Sequence, residues 1–276
     1  MIRLFYIEWL KISRSRYFKW MMGLWLFAFL VVPFGIDQFL SWINDSSDFI
    51  STDLGVKPED FPVFYFIDIW HNLSYIYKLI TPLLCIIVIV NVGQEWEEKT
   101  IRQNVIDGLS RTEYFFSKVI LLAFLSFLSF TLLLILGLVL GGAMSGGFSW
   151  NEIVSHIDFL FAYWLHIFLH LNIAMLAINL MRKVGLTILI FLLYMYFIEP
   201  VAWGILGFMH AKQGWADLAV FLPIDASWSL IPSPLGKYIT WYVHEHVQWS
   251  NVYPALAWLG ITLLANARLM ISRDLR

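Results

Sequence analysis

Six long apolar stretches limit what this chain can fold into more than any other feature of its sequence. Each has roughly the 20 residues that a helix needs to cross about 30 Å of hydrocarbon, at a rise of about 1.5 Å per residue. The stretches lie at about 20–40, 74–93, 119–142, 160–181, 185–207 and 252–270. We therefore predict an all-α integral membrane protein in which residues 1–276 form a single domain with about six transmembrane helices.

The scarcity of charge excludes a soluble protein. Charged residues make up 14% of the chain and hydrophobic residues 60%, whereas a soluble domain has about 25% charged residues. Because so few charges cannot cover a water-exposed surface, we expect membrane lipid around most of the chain and no nucleic-acid partner. The single cysteine, Cys85, lies in an apolar run and can form no intramolecular disulfide.

The positions of the basic residues give the orientation. With the N-terminus in the cytoplasm, 14 of the 18 lysines and arginines fall on the inner side, as the positive-inside rule requires. The four that remain on the outer side are Lys57, Lys78, Lys212 and Lys237. We therefore expect both chain ends in the cytoplasm.

Two segments outside the spans are predicted to form helices. Residues 1–19 have apolar side chains at helical spacing opposite basic ones, which predicts an amphipathic interfacial helix. That helix either lies on the inner membrane surface or packs against another helix of the protein, and both remain open. Residues 208–251 contain three prolines and four tryptophans, and they are too apolar for a solvated loop. They predict short re-entrant or interfacial helices before the last span.

The inner loop between spans two and three, at about residues 94–118, is short and dense in charges of both signs. Residues 94–106 can form a helix whose apolar side faces the membrane. Gly108 would break this helix, and Ser110 would cap the next one. A helix held between two spans can transmit a push from a soluble partner, and the alternative is an ordinary solvated loop.

The topology and this loop together resemble the membrane subunit of an ABC-2 type ABC transporter. The loop pattern of that family is an acidic residue, a small or basic residue and Thr, then Pro or Gly, a Ser-Arg pair, and a Lys that enters the third span. The matching positions are Glu98-Lys99-Thr100, Gly108, Ser110-Arg111 and Lys118. Lys99 stands where Gly is commonest in the family, and Gly108 stands where Pro is commonest.

The resemblance implies that residues 94–107 contain a coupling helix that docks on a separate ABC ATPase subunit. The residues expected to serve this coupling are Glu95, Glu97, Glu98, Thr100, Arg102, Ser110, Arg111 and Lys118. The chain has no phosphate-binding Gly-x-x-x-x-Gly-Lys-Ser/Thr motif, so we expect a non-catalytic permease whose partner binds ATP and Mg²⁺. The resemblance also implies a second permease subunit, which is either another copy of this chain or a related permease, together with a bacterial cytoplasmic membrane and export of a substrate.

Two other functions remain open from the sequence. Glu97, Glu98 and Arg102 match the first motif of CAAX-type intramembrane metalloproteases, and His166 and His170 share one helical face. The later motifs of that protease family fail, and the two glutamates belong to the cytoplasmic loop. The other alternative is a non-transporting scaffold in which ATP hydrolysis does mechanical work on an envelope partner.

Three ionisable residues within the spans form a possible intramembrane polar site: His166, His170 and Glu199. Such residues are costly in lipid and indicate function by default, although plain hydrogen-bonded histidines and a hydrated Glu199 are the alternatives. Pro200 predicts a kink in span five. The triplet His244-Glu245-His246 has ligand-type side chains but no third clear ligand, so we expect interfacial surface there and no metal.

Overall fold

The structure, a computed structural model, describes residues 2–46, 63–106, 108–147, 149–213, 218–234 and 246–272, which contain α-helices and no β-strand. The helices are α1 Ile2–Arg14, α2 Arg16–Ser46, α3 Ile69–Tyr77, α4 Thr81–Glu97, α5 Thr100–Ile106, α6 Arg111–Met144, α7 Trp150–Val154, α8 Asp158–Met181, α9 Val184–Leu193, α10 Glu199–Gln213, α11 Pro223–Trp228 and α12 Trp249–Ser272. A 3₁₀ turn joins α3 to α4, and a π-helical turn joins α9 to α10.

Among the described residues, six helical segments are long and apolar enough to cross a bilayer, which confirms the predicted number of spans. They are Arg16–Gly35, Ile69–Glu97, Arg111–Met144, Trp150–Met181, Val184–Lys212 and Trp249–Ser272. The second and third begin several residues before the apolar stretches seen in the sequence. Polar side chains in these added turns have partners inside the fold; for example, Asn72 donates to the Val63 carbonyl at 3.1 Å.

Helix α8 lies at the centre of the bundle and packs against α4, α6 and α12. In the most apolar part of the second and fourth spans 67% of the residues are buried, whereas in that of the first, fifth and sixth spans 22% are buried. The less buried spans expose large apolar side chains such as Phe27, Leu189 and Phe197. Surfaces of this kind suit contact with lipid or with another membrane-embedded subunit.

Both ends of the described chain lie at the same end of the bundle, which we call the terminal end. There Lys118 of α6 contacts Glu8 of α1, and the Arg111 guanidinium donates to the Ile271 carbonyl of α12 at 3.0 Å. Helices α4 and α8 run toward the terminal end, so the turns that follow them lie there too. The opposite, distal end carries α7, α11 and the start of α12.

Helix α1 packs within the protein, which is one of the two arrangements left open by the sequence. Ile12 is 1% exposed, and Trp9 packs edge-on against Phe124 of α6 with ring centroids 5.4 Å apart. The segment expected as one helix over 1–19 is helical in two pieces, because the chain turns at Ser15 before α2 begins. The turn lets α1 lie across α6 while α2 crosses the bundle separately.

The loop expected as one helix over 94–106 also consists of two pieces. Helix α4 ends at Glu97, and Lys99 adopts a left-handed conformation (φ 56°) before α5 begins. The Trp96 indole in the last turn of α4 donates to Asn179 Oδ1 at 3.0 Å. Because this bond anchors the end of α4 to α8, the chain must turn there for α5 to lie across the end of the bundle.

The expected end of α5 and start of α6 are confirmed. Gly108 has φ 101°, a conformation that favours glycine, and it separates the two helices. The Ser110 side chain accepts a hydrogen bond from the Glu113 amide at 3.2 Å, and the Glu113 carboxylate accepts one from the Ser110 amide at 2.9 Å. This reciprocal capping box fixes where the third span begins.

The fifth span is distorted beside Pro200, as expected. The distortion takes the form of a π-helical turn at Tyr194–Ile198, directly before Glu199. Proline lacks the amide hydrogen of a regular helix, and a π turn rearranges the bonds around it. Such turns are frequent at functional sites.

Short helices precede the last span, as predicted. The described residues 218–234 contain a 3₁₀ turn at Ala219–Phe221 and helix α11. Of the triplet singled out in the sequence, His246 is described, whereas His244 and Glu245 lie outside the described residues.

Candidate functional site: a buried charge cluster beneath the loop

Four charged side chains from three helices meet beneath the loop at the terminal end. The Lys118 ammonium lies 2.6 Å from Glu8 Oε2 and 2.5 Å from Glu95 Oε1. Lys11 forms a second ion pair with Glu95. Lys118, Glu8 and Glu95 are at most 5% exposed. Two lysines thus balance two glutamates, and we call these four residues the charge cluster.

Two hydroxyl groups complete the bonding of the charge cluster. The Tyr114 hydroxyl donates to Glu95 Oε2 at 2.6 Å, and the Ser117 hydroxyl lies 3.2 Å from Glu8 Oε1. Every carboxylate oxygen of the two glutamates therefore has a partner. Buried ions are tolerated only when they are paired and their remaining bonding positions are filled.

The sequence places these side chains through helical spacing. Tyr114, Ser117 and Lys118 are three and four residues apart, so they share one face of α6. Glu8 and Lys11 are three apart on α1 and share a face in the same way. The sequence reasoning missed Glu8, Lys11, Tyr114 and Ser117. A signal existed, because Glu8 is the only acidic residue in the basic segment 2–19.

The residues expected to serve coupling occupy two different environments. Glu95 and Lys118 lie inside the fold, within the charge cluster. Glu97, Glu98 and Ser110 are exposed, and Thr100 and Arg111 are partly buried. Arg102 belongs to α5, but its side chain is not among those described. The residues expected to serve coupling are therefore divided between the buried charge cluster and the exposed surface of the loop.

The exposed end of α4 is hydrogen-bonded to the turn between α8 and α9. Glu97 Oε1 accepts a hydrogen bond at 2.9 Å from the amide of Val184, the first residue of α9. A carboxylate at a helix N-terminus satisfies a free amide and complements the helix dipole. The loop that follows α4 is thereby connected to the start of span five.

A series of hydrogen bonds connects the end of α4 to the centre of the bundle. Trp96 donates to Asn179 Oδ1, Asn179 donates to Asn266 Oδ1 at 2.8 Å, and Asn266 donates to the Asn172 carbonyl at 3.1 Å. Arg182 lies over the Trp96 ring, 4.2 Å from its centroid. Movement of the loop would therefore also reach α8 and α12.

His166 and His170 face a serine on α11. The Ser227 hydroxyl lies 2.9 Å from His166 Nδ1 and 3.0 Å from His170 Nδ1. Lys78 lies nearby; it is 2% exposed and donates to the Ile231 carbonyl at 2.6 Å. The histidine pair thus links α8 to the distal segment, and Lys78 lies inside the fold rather than on the outer surface.

The metalloprotease residues are not brought together. Glu97 and Glu98 are exposed at the terminal end, whereas His166 and His170 are fully buried against α11. Among the described residues, these side chains do not form a group whose ligand atoms could share one metal ion. The arrangement gives no support to the protease alternative.

Glu199 lines a cavity in the fifth span. It is 2% exposed, and its Oε1 accepts a hydrogen bond from the Asp225 amide at 2.7 Å. Within the described chain, its Oε2 makes no hydrogen bond of regular geometry, although the Tyr194 hydroxyl lies close enough to interact with the carboxylate. The cavity measures about 230 Å³ and is walled by Tyr196, Trp203 and Trp228. A buried carboxylate beside aromatic rings is a candidate contact for a transported molecule.

A comparison with protein families identifies the architecture. A family model described as ABC-2 family transporter protein matches residues 4–198, a range that includes the whole charge cluster and the loop above it. Searches of curated proteins and of solved structures gave no match. The family match covers more than half of the chain, and the six-span helical bundle agrees with it. This chain is thus a multi-pass membrane protein that belongs to the ABC-2 transporter family.

Proposed function

We propose that the chain is the permease subunit of an ATP-driven exporter in the cytoplasmic membrane of a bacterium. A separate ABC ATPase binds ATP and Mg²⁺ and docks on the loop at the terminal end, which faces the cytoplasm. A second permease subunit completes the path for the substrate. The family match supports a transport permease, and the distribution of basic residues supports this orientation.

The charge cluster is the observation that carries this proposal. An ATPase that pushes the loop displaces the last turn of α4, which contains Glu95. Because Glu95 pairs with both lysines, the displacement passes to α1 through Lys11 and to α6 through Lys118. A local push on the loop thus becomes a joint movement of several helices, as coupling requires.

The exposed part of the loop offers the docking surface. Glu97, Glu98 and Lys99 are exposed, and Ile106 at the end of α5 is 82% exposed. The opposite side of α5 is anchored by Ile101, which is 3% exposed. An apolar side chain near charged ones matches the apolar core and polar rim of protein interfaces.

The fifth span supplies a face for the second permease. Its apolar side chains, such as Phe197 and Trp203, are more than half exposed in the single chain. The cavity beside Glu199 is lined by Trp203 on this face. A second subunit placed against this face would enclose the cavity, so that a substrate could pass Glu199 between the two permeases.

Reversing Glu98 to Lys tests the docking surface. Exposed charges contribute little to stability, whereas like charges that meet across an interface cost several kcal/mol. We expect Glu98→Lys to insert and fold normally, but to lose most of its association with the ATPase and most of the substrate-stimulated ATP hydrolysis. Co-purification of the complex and ATPase assays in proteoliposomes measure both effects.

Glu152→Lys is the matched control, because Glu152 is also exposed but lies on α7 at the distal end. We expect its complexes to assemble and hydrolyse ATP like the wild type. Normal assembly by Glu98→Lys together with failure by Glu152→Lys would show that the ATPase docks elsewhere.

A further inference from the structure

Three ligand-type side chains converge at the distal end from parts of the chain that are far apart in sequence. His156 lies in the turn before α8, Asp158 is the first residue of α8, and His246 lies just before α12. One ligand atom from each residue lies within 4.8 Å of the other two. His246 Nδ1 is 3.5 Å from Asp158 Oδ1, and the two imidazole centroids are 5.3 Å apart.

These separations fit a tetrahedral metal ion. Zinc binds imidazole nitrogen at about 2.0–2.1 Å and carboxylate oxygen at about 2.0–2.2 Å. Two ligands of a tetrahedron with such bonds are about 3.3–3.5 Å apart. The His246–Asp158 pair already has this spacing, and small side-chain rotations would bring the third ligand atom into place.

The fold orients the carboxylate from its other side. Asp158 Oδ2 accepts a hydrogen bond from the Val247 amide at 2.6 Å, which leaves Oδ1 directed toward His246. Metal-binding carboxylates are commonly held by such a second hydrogen bond. His156 has φ 56°, a left-handed conformation that histidine adopts more often than most residues other than glycine.

The donor set selects the kind of metal. Two imidazoles and one carboxylate suit zinc and neighbouring transition metals, whereas Ca²⁺ and Mg²⁺ prefer sets made of oxygen ligands. The three residues border an open cavity of about 600 Å³, and the His246 side chain is 72% exposed. Water or a ligand from solution can therefore reach the fourth coordination position.

We propose that His156, Asp158 and His246 form a Zn²⁺ site at the distal end of the bundle. The ion would clip the segment before the last span to the start of span four. The ATPase acts at the opposite end, so this site goes beyond the proposed function and its test does not depend on that function. The sequence showed only the local triplet around His246, because the other two ligands lie almost 90 residues earlier.

Metal titration of the full-length chain, purified without a histidine tag and stripped with a chelator, tests the site. We expect isothermal titration with Zn²⁺ to show one saturable site, and Cu²⁺ spectra to show hyperfine coupling to two nitrogens. His156→Ala, Asp158→Asn and His246→Ala should each lower the Zn²⁺ affinity at least about tenfold. His246→Cys should retain most of the affinity, because a thiolate also binds zinc.

His210→Ala is the control, since His210 is exposed on α10 and is not one of the three proposed zinc ligands. It should bind Zn²⁺ like the wild type, and all variants should elute as the same monodisperse species. Undiminished Zn²⁺ binding by a variant that lacks all three ligands would overturn the proposal. So would a wild-type chain with no saturable Zn²⁺ site below millimolar concentration.

Discussion

Lys118 holds α1 and α4 against α6 through one ammonium group, and its neighbours in the sequence do not reveal this. Its two partners, Glu8 and Glu95, lie 110 and 23 residues away. The family motif singled out Lys118, and Glu95 was expected to serve coupling, but neither expectation says which side chains meet across helices. Both residues are buried, so any effect they have on an ATPase passes through neighbouring groups.

Replacing Lys118 with Met tests the energetic role of the charge cluster. The substitution leaves the carboxylates of Glu8 and Glu95 with Lys11, which is partly exposed and pairs with Glu95. Removing one partner from a buried ion pair costs about 3–5 kcal/mol, so we expect a large loss of thermal stability. Tryptophan fluorescence during heating of the detergent-solubilised protein measures the unfolding temperature.

The double variant Lys118→Met with Glu8→Gln is the control for charge balance. It leaves the Lys11–Glu95 pair intact and removes one charge of each sign. We expect it to recover a substantial part of the stability that Lys118→Met loses. If Lys118→Met alone melted at the wild-type temperature, the cluster would not hold the three helices together.

At the scale of elements, the sequence predicts the spans well and their ends less well. Hydrocarbon thickness fixes the length of an apolar stretch, so all six stretches became helices. The third span's helix starts at Arg111, several residues before its apolar stretch, because Ser110 caps it and Lys118 finds partners inside the fold. From hydropathy alone such polar residues are assigned to a loop, because hydropathy does not include the groups that bind them in the fold.

Close contact between α6 and the chain at the start of α3 depends on two glycines. A Cβ added at Gly137 would lie 2.5 Å from the Trp70 ring, and one added at Gly141 would overlap the Phe66 ring. The Trp70 indole donates to the Ile153 carbonyl at 2.6 Å, so this ring cannot easily move away. Glycines four residues apart are typical of close packing between membrane helices.

Gly137→Ala should therefore destabilise the protein by about 1–3 kcal/mol through overpacking. Gly204→Ala is the matched control, because nothing lies within 4 Å of a Cβ added at Gly204 on α10. That control should be neutral or slightly stabilising, since alanine favours the helix by about 0.5–1 kcal/mol. Thermal unfolding of both variants gives the comparison, and equal effects would mean that the contact at Gly137 is not tight.

At the scale of the whole molecule, the number of helices was predictable, but their arrangement was not. Nothing in the apolar patterns indicates that α8 lies at the centre, or that His156 and Asp158 approach His246. These contacts depend on how the six helices pack, and along α6 and α8 the hydropathy is nearly the same on all sides. The loop motif indicated the family correctly, because it combines charge, capping and a glycine within a short segment.

The orientation of the whole bundle remains a prediction, and single cysteines can test it. Gln103 is exposed on α5 at the terminal end, and Asn151 is exposed on α7 at the distal end. Cys85 is fully buried, so it should add little background labelling. We expect a membrane-impermeant maleimide to label Asn151→Cys in intact cells and Gln103→Cys only after permeabilisation.

The physical reason for this result is the cost of placing basic residues outside. The cytoplasmic leaflet is negatively charged and attracts basic residues next to the membrane, which contribute about 1 kcal/mol each. With 14 of 18 lysines and arginines on one side, the opposite orientation would forgo most of that attraction. It would also place the exposed loop out of reach of a cytoplasmic ATPase. Labelling of Gln103→Cys in intact cells would therefore contradict both the topology and the proposed docking of the ATPase on this loop.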